Sequence, residues 1–222
     1  MIIVVGLAFE ARIAAGPGVH VICSGDGRNL AAKLTAAIAE ARSLVRGCPG
    51  IISFGVAGGL APQLRPGTCV VGSAVLSESN RMPTSREWSQ KLLQAIPGAV
   101  SGMLLGVAAP VVHPDEKRAL YLQTGAIAVD MESHTVAAVG LSHELPVAAI
   151  RVITDPAKRA LPASAVAAMR ANGTTDIAAM LRSALSRPRE LPALFRTALD
   201  ARAARASLVR GRSLLGPAFT LP

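Results

Sequence analysis

Residues 126–140 read AIAVDMESHTVAAVG. A run of small apolar residues climbs to Val129, Asp130 and Glu132 then flank Met131, and the apolar pattern resumes at helical spacing. Such a change of pattern reads as a strand handing over to a helix. Both carboxylates stand at the handover, on the same side of the sheet rim. The dipole of a helix N-terminus favours one acidic residue there. It accounts less well for two of them around an apolar Met131, in a chain with only 14 Asp and Glu.

The same alternation extends outward in both directions. Apolar, β-branched runs at 1–6, 18–24, 50–57, 68–77, 100–112, 125–131 and 145–154 read as strands. Helical patterns fall at 28–46, 85–96, 114–123, 132–145 and 162–185. Strands that are apolar on both faces and alternate with helices imply an α/β fold. We expect a three-layer αβα sandwich around a central mixed, largely parallel sheet. Ligands of such folds gather at the carboxyl ends of the strands, where the polar exceptions to the apolar pattern fall.

A chain of 222 residues is long enough for one sizeable domain with a buried core. Apolar residues make up 51% of it and aromatic residues 3%, a composition suited to small side chains packing helices onto a sheet. Cys23, Cys48 and Cys69 lie far apart with no CxxC spacing, so they are expected to be reduced core residues of a cytoplasmic protein, with no metal site. The apolar start lacks a basic segment and is interrupted by Glu10 and Arg12, so a first strand is expected there and not a signal peptide. No apolar run reaches the length of roughly 20 residues that a spanning helix needs.

The net charge of +9 is unevenly placed: residues 1–181 hold 15 Lys and Arg against 12 Asp and Glu, and residues 182–222 hold 8 Arg against 2. The body is nearly neutral and has no basic-aromatic face, which disfavours a nucleic-acid partner. After Pro188, Leu191, Leu194, Phe195, Ala198 and Leu199 recur at helical spacing with arginines opposite, an amphipathic helix with a basic side.

Four strand ends carry candidate chemistry. SFGVAGGLAP (53–62) is a Gly-rich turn that is either a tight turn or a close approach of backbone to ligand. SGDGRN (24–29) sets Arg28 at the start of a helix, where an anion could sit, or is simply a capped helix start. AAIRVITDP (148–156) ends on Asp155, an ordinary turn former before proline or a general acid whose partial burial would raise its pKa. GLAFEARIAAG (6–16) holds Glu10 and Arg12 as isolated charges, on the mouth of a site or on the exposed side of a short helix.

The order and spacing of GLAFEAR, GVAGGLAPQLRPGTCVV, AVDMES and RVITD resemble the nucleoside phosphorylase superfamily, which includes purine nucleoside phosphorylases and methylthioadenosine/adenosylhomocysteine nucleosidases. The resemblance covers roughly residues 1–185, expected to be the catalytic domain, with 186–222 as basic helix and tail. GLAFEARIA, the short middle region and the Arg-rich tail look most like the hopanoid-associated branch, whose implied substrate is adenosylhopane.

The resemblance implies roles for particular residues. Met131 would pack on the ribose and Glu132 would accept hydrogen bonds from its 2′- and 3′-hydroxyls. Asp130 would have a structural or water-ordering role. Asp155 would hydrogen-bond or protonate N7 of the departing purine, and Val56, Ala57, Gly58 and Gly59 would lie along base and sugar. No cofactor is implied, and phosphate is a possible co-substrate. The residue that orients the attacking water in the nucleosidases matches Arg12, or Glu10 if the register slips. An arginine there suits phosphate, which favours phosphorolysis and leaves hydrolysis as the alternative, with a non-catalytic nucleoside-binding module behind both. The Ser and Arg that bind phosphate in bacterial purine phosphorylases fall on Val56 and Ser53, so Arg12 and Arg28 are the substitutes. VAAPVVH (107–113) lacks the aromatic residue that stacks on the base, which leaves room for a bulky lipid substituent. Family members pair subunits at the active site, so a homo-oligomer is implied. The basic helix either packs on the body or rests on anionic membrane; on the second reading, deleting 187–222 would lower liposome binding and spare turnover of a small nucleoside.

Overall fold

Apolar residues on both faces of the N-terminal strand decide how the layers stack. In β1 (Ile2–Val5), Ile3 and Val5 point into one apolar cluster and Ile2 and Val4 into another. The structure is a computed structural model that describes residues 1–25, 29–43, 47–78, 80–163, 165 and 190–221.

The strands that follow are β2 (His20–Cys23), β3 (Ile51–Gly59), β4 (Cys69–Leu76), β5 (Arg81–Pro83), β6 (Val100–Gly106), β7 (Ala128–Asp130) and β8 (Val147–Asp155). The helices are α1 (Ala8–Ala14), α2 (Leu30–Ser43), α3 (Arg86–Ala95), α4 (Pro114–Thr124), α5 (Ser133–Ser142) and α6 (Leu191–Leu214), with a short 3₁₀ turn at Pro217–Thr220. The α/β class and the mixed sheet agree with expectation. The expected helix over 162–185 lies almost wholly outside the described residues.

One face of the sheet presents Ile3, Val5, Ile52, Phe54, Ile150 and Val152 to Trp88 and Leu92 of α3 and to Ala204 and Leu208 of α6. The other presents Ile2, Val4, Ile51 and Val147 to Leu30, Leu34 and Ile38 of α2 and to Val136 and Val139 of α5. Local signals start and stop the helices. The Ser85 hydroxyl accepts a hydrogen bond from the Trp88 amide and caps α3. Gly125, at φ 67°, takes the left-handed conformation that ends α4.

The sheet runs in the order β2-β1-β3-β7-β6-β4-β5, and β8 pairs with both β3 and β4. Strands β3, β7, β6, β4 and β8 therefore close into a ring, which periodicity alone does not reveal. The pairings β1/β2, β1/β3, β3/β8, β4/β6 and β6/β7 are parallel. The pairings β3/β7, β4/β5 and β4/β8 are antiparallel. A bulge at Ala57/Gly58 turns the end of β3 so that it meets β7.

Two expectations are corrected. The run 100–112 is not one strand: β6 stops at Gly106, and Val107–Val112 leave the sheet around Pro110. Strand β5 went unread because three residues with Arg81 and Pro83 carry no strand signal.

The C-terminal segment joins the core. Ala204, Leu208, Leu215, Phe219 and Leu221 are buried with Phe54, and the Phe219 ring meets Phe54 edge-on with centroids 5.3 Å apart. The apolar side noted at Leu191, Phe195 and Leu199 is exposed instead.

Candidate active site

Four strand ends converge on one open cleft. The turn after β1 brings Gly6, Leu7 and Glu10, and the end of β3 brings Val56, Ala57 and Gly58. The end of β7 brings Asp130, Met131 and Glu132, and the end of β8 brings Thr154 and Asp155. Val107, Pro110, Val111 and Leu161 form an apolar wall. The run that left the sheet after Gly106 thus lines the site.

Glu10 is buried on the first turns of α1. Its Oε2 accepts hydrogen bonds from the amides of Gly6 (2.9 Å) and Leu7 (2.8 Å), and its Oε1 from the amide of Val56 (2.7 Å). Burial pushes its pKa up, against the pull of Arg151 and the three amides. Gly55 permits this approach, since a methyl group there would lie 2.6 Å from Glu10 Oε1 and 2.8 Å from Arg151 Nη1.

Asp130 and Glu132 have different surroundings. Asp130 Oδ1 accepts from the amides of Glu132 (2.9 Å) and Ser133 (2.7 Å), capping the start of α5. Its Oδ2 accepts from the Ser133 hydroxyl (2.6 Å) and Arg151 Nε (3.0 Å). Burial opposes its charge, but Arg151 and Ser133 outweigh it and hold the carboxyl below the usual range. Glu132 is held more loosely, by Arg151 Nη2 at 3.5 Å and by the Met131 backbone. Burial raises its pKa to about 7, with Asp130 and Glu10 adding repulsion and Arg151 opposing.

Arg151 ties these groups together from the middle of β8. It is fully buried, and its Nη2 also donates to the hydroxyls of Ser53 (2.7 Å) and Ser133 (3.1 Å). Burial disfavours its charge, but Asp130, Glu132 and Glu10 keep its pKa above normal. Its Nη1 has no hydrogen-bond partner. A charge in the centre of an apolar strand is itself a signal of buried partners, which a reading of 148–154 as simply apolar passes over.

At the opposite side of the cleft, Asp155 Oδ2 meets Nζ of Lys117 at 2.6 Å, and Oδ1 accepts from the Thr154 hydroxyl at 2.8 Å. Lys117, on α4, is completely buried. It sits in the polar run PDEKR, so nothing in its neighbourhood singles it out.

Of the candidates, Glu10, Val56, Ala57, Gly58, Asp130, Met131, Glu132 and Asp155 share the cleft. Gly59 lies behind it, paired with Ala128 and packed near Ile153. Arg12 does not share the cleft: it is exposed and lines a separate groove with Phe9, Arg205 and Arg212. Arg28 lies outside the described residues. Among the described residues no group of three or more His, Cys, Asp and Glu is placed to hold a metal.

The family model of the phosphorylase superfamily matches residues 5–186. The chain belongs to the phosphorylase superfamily. The motif resemblance therefore holds at the level of the superfamily. None of the curated proteins compared with the chain matches it at a significant level.

Solved structures share this superfamily fold. A 5′-methylthioadenosine/S-adenosylhomocysteine nucleosidase from Neisseria meningitidis, in complex with methylthio-immucillin-A, is 17% identical with a TM-score of 0.63, covering 95% of this chain and 96% of that one. A mutant nucleosidase of Helicobacter pylori holding 5′-methylthioadenosine is 18% identical with a TM-score of 0.63, over 83% of this chain and 97% of that one. A futalosine hydrolase mutant from the same organism is 17% identical with a TM-score of 0.58, over 68% and 87%. At these identities the likeness is one of fold, and function rests on the site.

Proposed function

We propose that the protein is an enzyme that hydrolyses the N-ribosidic bond of a purine nucleoside and releases adenine. The observation that carries the reading is the convergence on one cleft of Glu10, Glu132 and Asp155, three of the four carboxylates that line it. Breaking the C1′–N9 bond builds positive charge on the ribose and leaves the bonding electrons on the purine, as in other glycosyl transfers through oxocarbenium-like states. Glu132 accepts hydrogen bonds from the ribose diol, Met131 packs on the sugar and Val56–Gly58 line the base. Glu10 takes a proton from water as the water oxygen attacks C1′. Asp155 gives a proton to N7, so the purine leaves neutral. Solvent then returns Glu10 and Asp155 to their starting states.

Water is favoured over phosphate because the carboxylate Glu10 lines the cleft near the sugar end, whereas the buried cation Arg151 lies behind the lining. The phosphorolytic reading rests on Arg12 and Arg28, of which Arg12 lines another groove and Arg28 lies outside the described residues.

For the 5′ substituent we propose a large hydrocarbon, adenosylhopane in the first instance. The aliphatic wall of Val107, Pro110, Val111 and Leu161 supports this, as do the exposed Leu191, Phe195 and Leu199 on a helix that also carries Arg196, Arg202 and Arg205, suited to a lipid surface. The test is to incubate the protein with adenosylhopane and with a short 5′-alkyl adenosine, each with and without phosphate, and to follow adenine. Release without phosphate, with free 5-substituted ribose as co-product, is expected. A phosphate requirement would mean phosphorolysis, and no adenine under any condition would overturn the reading.

A further inference from the structure

We propose that Lys117 is a positioning residue for the leaving-group side of the reaction, acting through Asp155. The inference rests on the proposed cleavage of a purine nucleoside and adds a residue to it. A lysine is almost never fully buried unless its charge is matched, and Lys117 on α4 is wholly buried. Its ammonium has three N–H groups and three acceptors: Asp155 Oδ2 at 2.6 Å, the carbonyl of Arg159 at 3.1 Å and the carbonyl of Pro156 at 3.4 Å. Both carbonyls belong to the turn just after Asp155. Lys117 therefore grips the carboxyl and the backbone that carries it together.

Asp155 is also held from the other side. Thr154 Oγ1 lies 2.8 Å from Asp155 Oδ1 and 3.2 Å from the carbonyl of Ala57. With Oδ2 committed to Lys117, Oδ1 is the oxygen left to meet the purine. When the Asp155 O–H bond breaks and the N7–H bond forms, a carboxylate remains beside an electron-rich base in a site with apolar walls. The ammonium of Lys117 balances that charge without touching the substrate. Glu10 and Glu132, on the ribose side, do not contact Lys117.

The experiment compares two leaving groups, adenine from a soluble 5′-alkyl adenosine and p-nitrophenolate from a p-nitrophenyl riboside, which departs without protonation. A general acid contributes about 10²–10⁴ in rate. In Lys117→Met the ratio of adenine release to p-nitrophenolate release is expected to fall roughly a hundredfold, the lower end of that range. A ratio that stays put because both rates fall together would show a merely structural role and overturn the proposal. A second readout uses adenine alone and removes both buried charges, which protects folding. In an Asp155→Asn background, adding Lys117→Met should change adenine release by less than about threefold, because residues acting as a unit are not additive. A full further hundredfold loss would overturn the proposal. Failure of the unaltered protein to release adenine would instead overturn the proposed function on which the inference stands.

Discussion

At the residue scale, the site depends on places where a side chain is missing. A methyl group on Gly6 would lie 2.7 Å from Glu132 Oε1, and one on Gly55 would press on both Glu10 and Arg151. Gly55→Ala is expected to destabilise the fold by about 1–3 kcal/mol through overpacking. It should also lower kcat more than ten-fold by displacing Glu10, as thermal denaturation and adenine release would show. Arg151→Met strands Asp130 and Glu132 without their cation. Breaking a buried ion pair from one side costs about 3–5 kcal/mol, so a large drop in Tm is expected whatever happens to activity. These residues also show what could be read in advance. Glu10 and Arg12 are two positions apart, which on a helix separates them by about 200°, so only one can face the cleft. Nothing local says which; the amides of Gly6, Leu7 and Val56 decide it by offering hydrogen bonds that a carboxylate accepts and a guanidinium cannot. Asp130, Met131 and Glu132 were legible because charge interrupts an apolar pattern at a strand end. Lys117 was not, because its neighbours in sequence are charged and only the fold buries it.

At the element scale, α6 is the instructive case. Its sequence shows an apolar stripe at Leu191, Phe195 and Leu199, yet the residues that join the core beneath the sheet are Ala204 and Leu208 in its second half, with Gly211 facing Ile96 at the end of α3. Small residues let a helix lie close to a sheet, and they carry little weight in a reading that counts large side chains. The helix is further tied to the turn after β8 by the ion pair of Arg159 with Asp200. Phe219→Ala should therefore cost about 3–5 kcal/mol, as for other buried aromatic residues, measured by urea denaturation. Deletion of 187–222 should yield aggregated or unfolded protein, not the active truncation that an appended tail would permit. The strands were largely legible because β-branched runs on both faces of a covered sheet have few other readings. Their closure into a ring was not, because it depends on a bulge at Ala57/Gly58 and on a β7 of three residues.

At the scale of the whole molecule, the buried carboxylates set how function and stability respond to pH in opposite directions. Glu10 and Glu132 both have raised pKa values, Glu132 to about 7, chiefly through burial. In the proposed hydrolysis each is needed ionised, one to accept a proton from water and one to accept the diol hydroxyls. Accordingly, the limb of kcat/KM that rises with pH is expected to inflect near 7, and Glu10→Gln should abolish most of the activity. Stability runs the other way. A carboxyl whose pKa is higher in the folded than in the unfolded state binds more protons when folded, so its contribution is complete below about pH 4.5 and is lost as pH rises towards 7. Asp130, held below the usual range, contributes stability that disappears only in stronger acid. Chemical denaturation at pH 5 and pH 8 should therefore find the lower value at pH 8 unless bound nucleoside offsets it; an increase would contradict the burial of these charges.

The closed ring of strands also bears on how the chain behaves when crowded. Unpaired strand edges invite other chains to add on, and among the described residues the sheet ends only at β2 and β5. Strand β5 is three residues long, with Arg81 exposed and a proline that donates no hydrogen bond. Strand β2 is no longer than four residues, but it includes Val21 and Ile22 and holds no Lys, Arg, Asp or Glu. Self-association through the sheet would begin at β2, and His20→Lys, at its exposed position, is the simplest way to discourage it.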